Sequence, residues 1–167
     1  LYDMDVPNLS IVFEYGSTNT NGVEVQKEGT SSPIYMYLDG NVCHVTTPAY
    51  QIEAKSWLDP DGQIVALDAL FEYVPSTRSI DFGDFFHTEN NVSMTYMFAW
   101  LADLEYLYLG RQFELSTVSS SNYDWMCDGM AENSTCRIYC TPTAKAKLME
   151  TYVTLLDPDH ISWHLLE

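Results

Sequence analysis

The sequence predicts a mainly β fold: an antiparallel sandwich or jelly-roll-like domain covering residues 1–167, with one helix near the C-terminus. Three observations predict it. Short apolar or alternating runs recur along the chain, separated by turns rich in Gly, Pro, Asn and Asp. The segment Ile34–Thr47 carries the signature of a tight hairpin. The most apolar stretch, Val92–Leu109, has an apolar residue at every even position from Val92 to Tyr108, the period of a strand with one buried face.

Taken in order, LSIVFEY at residues 9–15 reads as a strand, followed by the loop GSTNTNG and a short return strand over Val23–Gln26. After the polar loop KEGTSS, Ile34–Leu38 and Val42–Thr47 flank Asp39-Gly40-Asn41, whose residues tolerate the positive φ of a hairpin turn. Tyr50–Leu58 continues as a strand up to Asp59-Pro60-Asp61-Gly62, a turn with Pro and Gly in favourable places. Gln63–Val74 is a strand or short helix, ended by Pro75. Ser76–Asn91 is polar apart from Phe82, Phe85 and Phe86, and reads as a connection with one short strand.

For Val92–Leu109 a helix is the alternative, because Met94, Met97, Phe98, Leu101, Leu104 and Tyr108 fit the i, i+3, i+4, i+7 template and Gly110 is placed as a stop. Its Tyr, Phe and Trp content favours the strand, with a bulge near Asp103. Arg111–Val118 is a strand and residues 119–124 a loop. Trp125–Cys136 is a loop tied by cysteine, and Arg137–Cys140 a strand. Thr141-Pro142 resembles an N-cap with Pro in the first helical position. Ala144, Leu148, Tyr152, Leu155 and Leu156 then give Pro142–Leu156 one apolar face. Asp157-Pro158-Asp159 ends that helix, and ISWHLL is a last short element. FEY at Phe13, FEY at Phe71 and FEL at Phe113 hint at an internal repeat, but their unequal spacing marks coincidence.

Charge excludes several functions. Seven Lys and Arg stand against 24 Asp and Glu, for a net of −17. The seven are scattered, so no basic stripe can neutralise phosphates or dock on an anionic membrane face. Direct nucleic-acid binding is therefore not expected. Asp103 and Glu105 break the densest apolar run short of a spanning length, so no membrane insertion is expected either.

Four cysteines suit two disulfides. A strand from Cys136 to Cys140 would hold those two apart, which leaves Cys127–Cys136 and Cys43–Cys140 as the expected pairs. Reduced core thiols are the bland alternative. Sequons occur at Asn8, Asn91 and Asn133. With the cysteines and a chain that opens on Leu1 without a signal-peptide pattern, they point to a processed product or excerpt in an oxidising location, extracellular or on a virion surface.

Motifs of catalysis and metal binding fail on inspection. Asp59–Gly62 resembles part of an EF-hand loop with Asp68 at the last ligand position, but Trp57 falls where the first acidic ligand belongs. His160 and His164, beside Asp157 and Asp159, have a metal-ligand spacing but lack further donors. Cys127, Cys136 and Cys140 lack a Cys-x-x-Cys knuckle. Asp81-Phe82-Gly83 matches the kinase tripeptide without its companions. No nucleophile elbow, phosphate loop or dinucleotide fingerprint occurs, so no catalytic residue, metal or cofactor is assigned.

Tyr123 and Trp125, in a polar loop bounded by cysteine, are the candidate binding residues, because an exposed aromatic there could anchor a partner. The leading expectation is a non-enzymatic surface-recognition domain for a protein partner, with residues 119–135 and 16–22 as contact loops. A structural subunit in a homo-oligomeric assembly, such as a coat jelly roll or surface-fibre protein cut from a precursor, comes second. A carboxylate-dependent hydrolase comes third, without a motif behind it.

Overall fold

The computed structural model describes residues 6–19, 21–24, 33–53, 70–72, 74–88, 94–115, 125–152 and 159–167. Within them lie β1 (Leu9–Glu14), β2 (Val23–Glu24), β3 (Tyr35–Asp39), β4 (Val42–Thr46), β5 (Ile52–Glu53), β6 (Thr77–Asp81), β7 (Phe86–His87), β8 (Tyr106–Gly110), β9 (Cys136–Cys140), α1 (Pro142–Tyr152) and β10 (Ile161–Leu165). The protein is mainly β with a helix near the C-terminus. Eight strands form one sheet in the order β10-β9-β8-β6-β1-β4-β3-β2, and β5 pairs with β7 apart from it.

The expected antiparallel sandwich or jelly roll is not what these strands build. From β4 to β10 every pairing in the large sheet is parallel, and only β2–β3 and β3–β4 are antiparallel. The β3–β4 pair is the expected hairpin. Asp39 opposes Val42, and Gly40 takes the positive φ of 60° that a two-residue turn requires. Parallel neighbours instead need a long connection that returns the chain to the same end of the sheet. Here β6 lies beside β1, and β8, β9 and β10 each lie beside the large-sheet strand before, so from β6 onward the chain coils and adds one strand per turn.

A true repeat underlies the coil. Phe71, Val74, Thr77, Ile80, Phe82, Phe86 and Thr88 recur 27 positions later as Phe98, Leu101, Leu104, Leu107, Leu109, Phe113 and Leu115, and every one is buried; Ile80 opposes Leu107 in register. Gly83 and Gly110 recur with them, at φ of 63° and 82°. A Cβ on Gly110 would lie 2.0 Å from the Gly83 carbonyl oxygen, so the two coils touch there through backbone. The turns stack as well: Phe71 N–H donates to Met97 O (3.1 Å), Phe98 N–H to Met126 O (2.8 Å) and Trp100 N–H to Asp128 O (2.7 Å). This is the local logic of a solenoid, in which each repeat buries its apolar face against its neighbours. The FEY and FEL triplets are not equivalent sites within it, since Phe13 stands beside Phe82 in the core, Phe71 beside Phe98, and Phe113 follows β8.

Residues 94–105 differ from both readings of that stretch, whereas 106–109 are strand as expected. Bonds from Met97 N–H to Met94 O, Ala99 N–H to Tyr96 O and Leu104 N–H to Leu101 O make successive tight turns, which bury Met94, Met97, Phe98, Leu101 and Leu104 without an α-helix. The strand begins only at Tyr106, with the odd positions Leu107 and Leu109 inward. The even-position alternation therefore predicts the wrong face. β6 is a short strand within Ser76–Asn91, as expected there, and it sits in the middle of the sheet. Arg78, Ser79 and Asp81 make it look polar, while Ile80 and the following Phe82 are fully buried.

One face of the sheet is the core. Cys43, Ile11, Ile80, Leu107 and Ile138 run across β4, β1, β6, β8 and β9 in register, all buried. Below them Phe82 meets the rings of Phe13 (4.8 Å), Phe86 (4.7 Å), Phe113 (5.6 Å) and Phe71 (5.8 Å). The helix starts as expected: Thr141 Oγ1 accepts the Ala144 N–H at 3.1 Å, and Ala144 and Leu148 are buried.

All four cysteines are free, buried thiols, so neither Cys127–Cys136 nor Cys43–Cys140 is bridged. Cys43 on β4 and Cys140 on β9 are four strand positions apart. At ~4.8 Å per position that is roughly 19 Å, far beyond disulfide reach. Burial pushes all four thiols up, Cys136 to about 12 and Cys140 to about 11.

Candidate functional site: the open face of the sheet

Parallel sheets are ordinarily covered on both faces. Here the side chains opposite the core are partly exposed, and the described elements outside the large sheet turn to the core instead, α1 through Ala144 and Leu148, β5 through Ile52 and β7 through Phe86. Alternation along each strand sends every second side chain to it. Register then assembles them into rows. One row runs Tyr37, His44, Val12, Asp81, Tyr108, Tyr139, His164, one residue from each of seven strands. The adjacent row runs Asp39, Val42, Ser10, Ser79, Tyr106, Arg137, Ser162. Six strand spacings of ~4.8 Å give each row a length of roughly 29 Å.

The β8–β10 end is aromatic. Tyr139 stacks on His164 (4.6 Å, 18°) and on Tyr108 (5.8 Å, 30°), and its ring lies 5.2 Å from that of Tyr106. The Arg137 guanidinium sits 5.7 Å from the centre of the Tyr106 ring. Tyr108 donates its hydroxyl hydrogen to Asp84 Oδ1 at 2.9 Å, and Arg111 clamps the other oxygen of the same carboxylate. Burial, and after it the bond to Asp84, raises the Tyr108 phenol above its ordinary range. Burial and the Asp81 charge do the same for Tyr106. These rings are thus held in place before any partner arrives.

The β3–β4 end repeats the theme on a smaller scale. Tyr37 and His44 stack nearly parallel (4.6 Å, 6°), and His44 Nδ1 lies 2.9 Å from Glu14 Oε2. Between the two ends stand Val12 and Asp81. Asp81 Oδ1 accepts the Gly83 N–H at 2.8 Å, a local turn that fixes the carboxylate.

The sequence-derived candidates fall elsewhere. Tyr123 and the whole loop before Trp125, residues 119–124, lie outside the described residues, as do Asn91 and the Asp59–Gly62 turn with Trp57 and Asp68. Trp125 is half exposed at a φ of 59°. It belongs to a turn stacked on that of Tyr96 and Trp100, whose rings stack at 5.9 Å, and Trp100 is half exposed too. Trp100 also covers Gly129, where a Cβ would meet its ring at 3.0 Å. Asn8 and Asn133 are exposed. Of the contact loop 16–22, all but residue 20 is described, and Gly16 packs beside the Tyr50 ring.

His160 and His164 do not converge on a metal. His160 Nδ1 is 2.8 Å from the Ala131 carbonyl oxygen, whereas His164 lies on the open face. Among the described residues no group of three His, Cys, Asp or Glu is placed to hold an ion. Ser162 Oγ is 3.1 Å from His164 Nε2, a contact that i and i+2 residues make on one strand face. Among the described residues, too, no helix is long and apolar enough to cross a membrane.

Sequence reasoning did not find Tyr37, His44, Asp81, Tyr106, Tyr108, Tyr139 and His164 as a set. The available signal was Tyr-Leu-Tyr-Leu at 106–109 beside Arg-Ile-Tyr-Cys at 137–140, two strands with aromatic and aliphatic positions in phase. No protein-family model matches the chain, and neither a curated protein nor a solved structure is significantly similar to it.

Proposed function

We propose that this chain is a non-enzymatic recognition module that binds a protein partner through the open face of its parallel sheet. One observation carries the reading: a continuous, pre-ordered row of aromatic and polar side chains on a partly exposed sheet face, away from which α1, β5 and β7 bury their apolar residues. Tyrosine gives large contact area with few rotors to freeze, which suits a binding surface. Coiled repeat architectures present such extended faces to their partners. The contact surface is thereby the sheet rather than loops 119–135 and 16–22, with Trp125 and Trp100 as a flanking ridge. An extracellular or virion-surface location is part of the proposal. The exposure of Asn8 and Asn133 supports it, and the free thiols lend it no support.

The test is a comparison of proteins retained from the native medium by the wild-type chain and by a Tyr108→Ser/Tyr139→Ser variant with unchanged circular dichroism. Loss of a retained partner with the variant is expected. Retention of the same partners by both proteins would contradict the reading.

A structural subunit is the second reading, favoured by β10, which among the described residues pairs with β9 alone and carries the exposed Leu165. Scattering separates the two, since a subunit of this kind forms closed or open-ended assemblies with concentration and a recognition module stays dispersed.

A further inference from the structure

We infer that the open face takes a basic segment of the partner, seating a lysine or arginine side chain at Asp81 beside Tyr108 and Tyr106. The inference rests on the recognition reading and adds the chemistry of the occupant. Charge complementarity is its first support. A chain with a net charge of −17 attracts cationic surfaces over long range and repels nucleic acid and other polyanions.

The local arrangement is the second support. The arginines bordering the face are already engaged: Arg78 by Glu105 and Asn8, Arg111 by Asp84 and the Glu167 carbonyl, and Arg137 over Tyr106. Asp81, at the centre of its row, is paired with no cation among the described residues and bonds only the Gly83 N–H. Val12 and Tyr108 flank it in register, and Ser79 and Tyr106 occupy the adjacent row. A carboxylate set among tyrosine rings offers an ion pair and ring faces to the same cation. An apolar segment would leave that carboxylate desolvated and unpaired. Glu14, on the neighbouring strand β1, is held against His44 of β4 and so is already engaged.

The test titrates the whole chain with a hexa-arginine peptide, and separately with hexaglutamate, at about 50 mM salt where exposed charges are not fully screened. Amide shifts in 15N spectra report the place of binding. Hexa-arginine is expected to move the amides of β6, β8 and β9, and hexaglutamate to move none. Asp81→Asn keeps the acceptor for the Gly83 N–H and so the fold. It is expected to weaken hexa-arginine about tenfold, with Glu150→Gln on the exposed face of α1 within about twofold. Equal losses in the two variants, or no loss in either, would overturn the cation site. The partner-retention comparison, repeated with Asp81→Asn, separates the two proposals. Retention lost in Tyr108→Ser/Tyr139→Ser but kept in Asp81→Asn rejects the cation and leaves the recognition reading standing. Retention kept in both rejects that reading itself.

Discussion

Single residues carry two properties of this molecule that are open to direct measurement. The first is the close approach of neighbouring coils at Gly83 and Gly110. Gly110 combines a φ of 82° with a Cβ position 2.0 Å from the Gly83 oxygen, whereas Gly40 combines a φ of 60° with no neighbour within 4 Å. Gly110→Ala should therefore cost about 3 kcal/mol or more, from backbone strain and displaced coils, and Gly40→Ala only about 1 kcal/mol. Urea unfolding of the two variants measures both, and similar costs would show that the coils do not touch there. The second property is the set of buried thiols. At pH 8 all four should resist a thiol reagent until the protein unfolds. Their folded-state pKa values are raised, so the native state holds these protons more tightly than the unfolded chain. The resulting stability is complete below the ordinary thiol value near 8.5 and is lost as pH climbs toward about 12, the value for Cys136. Urea midpoints measured from pH 8 upward should fall through that window. Constant midpoints would contradict it.

Elements differ in how much of them the sequence makes legible, and the difference follows from where their determinants lie. The β3–β4 hairpin is legible because Asp39, Gly40 and Asn41 encode the turn locally. The start of α1 is legible because Thr141 caps it and Pro142 suits the first turn. Thr141→Ala should cost about 1 kcal/mol in the same unfolding assay, and no change would deny the cap. By contrast, the short strand expected within Ser76–Asn91 gives no sign of its central place, because Arg78, Ser79 and Asp81 make β6 look polar and peripheral. Residues 94–104 imitate strand and helix at once because three-residue turns bury an irregular set of positions. The phase of β8 could not be read from that stretch, since the strand starts after the turns end. Tyr106, Tyr108 and Tyr139 each look like ordinary strand aromatics, and only parallel register makes a surface of them. That register joins residues far apart in the chain, which no local pattern encodes.

At the scale of the whole molecule, one arrangement governs the rest: parallel strands added coil by coil, with a phenylalanine-filled core on one face and, among the described residues, a partly exposed tyrosine face on the other. Phe82 shows how much depends on the core, since five phenylalanine rings surround it at 4.7–6.2 Å. Phe82→Ala should destabilise by about 4 kcal/mol, while Phe85→Ala, at a half-exposed position three residues on, should cost less than about 1 kcal/mol. Equal effects would argue against this core. The open face then follows from the same alternation that fills the core. The most direct test joins two residues of that face that are distant in sequence. Ser10 and Ser79 are register partners on the parallel pair β1–β6, and neighbouring Cα atoms at ~4.8 Å are within disulfide range. A Ser10→Cys/Ser79→Cys variant, oxidised while folded, should form that one bridge with its circular dichroism unchanged and the four native thiols still buried. Failure to bridge in the folded state, with bridging only after unfolding, would contradict the parallel sheet and the recognition surface built on it.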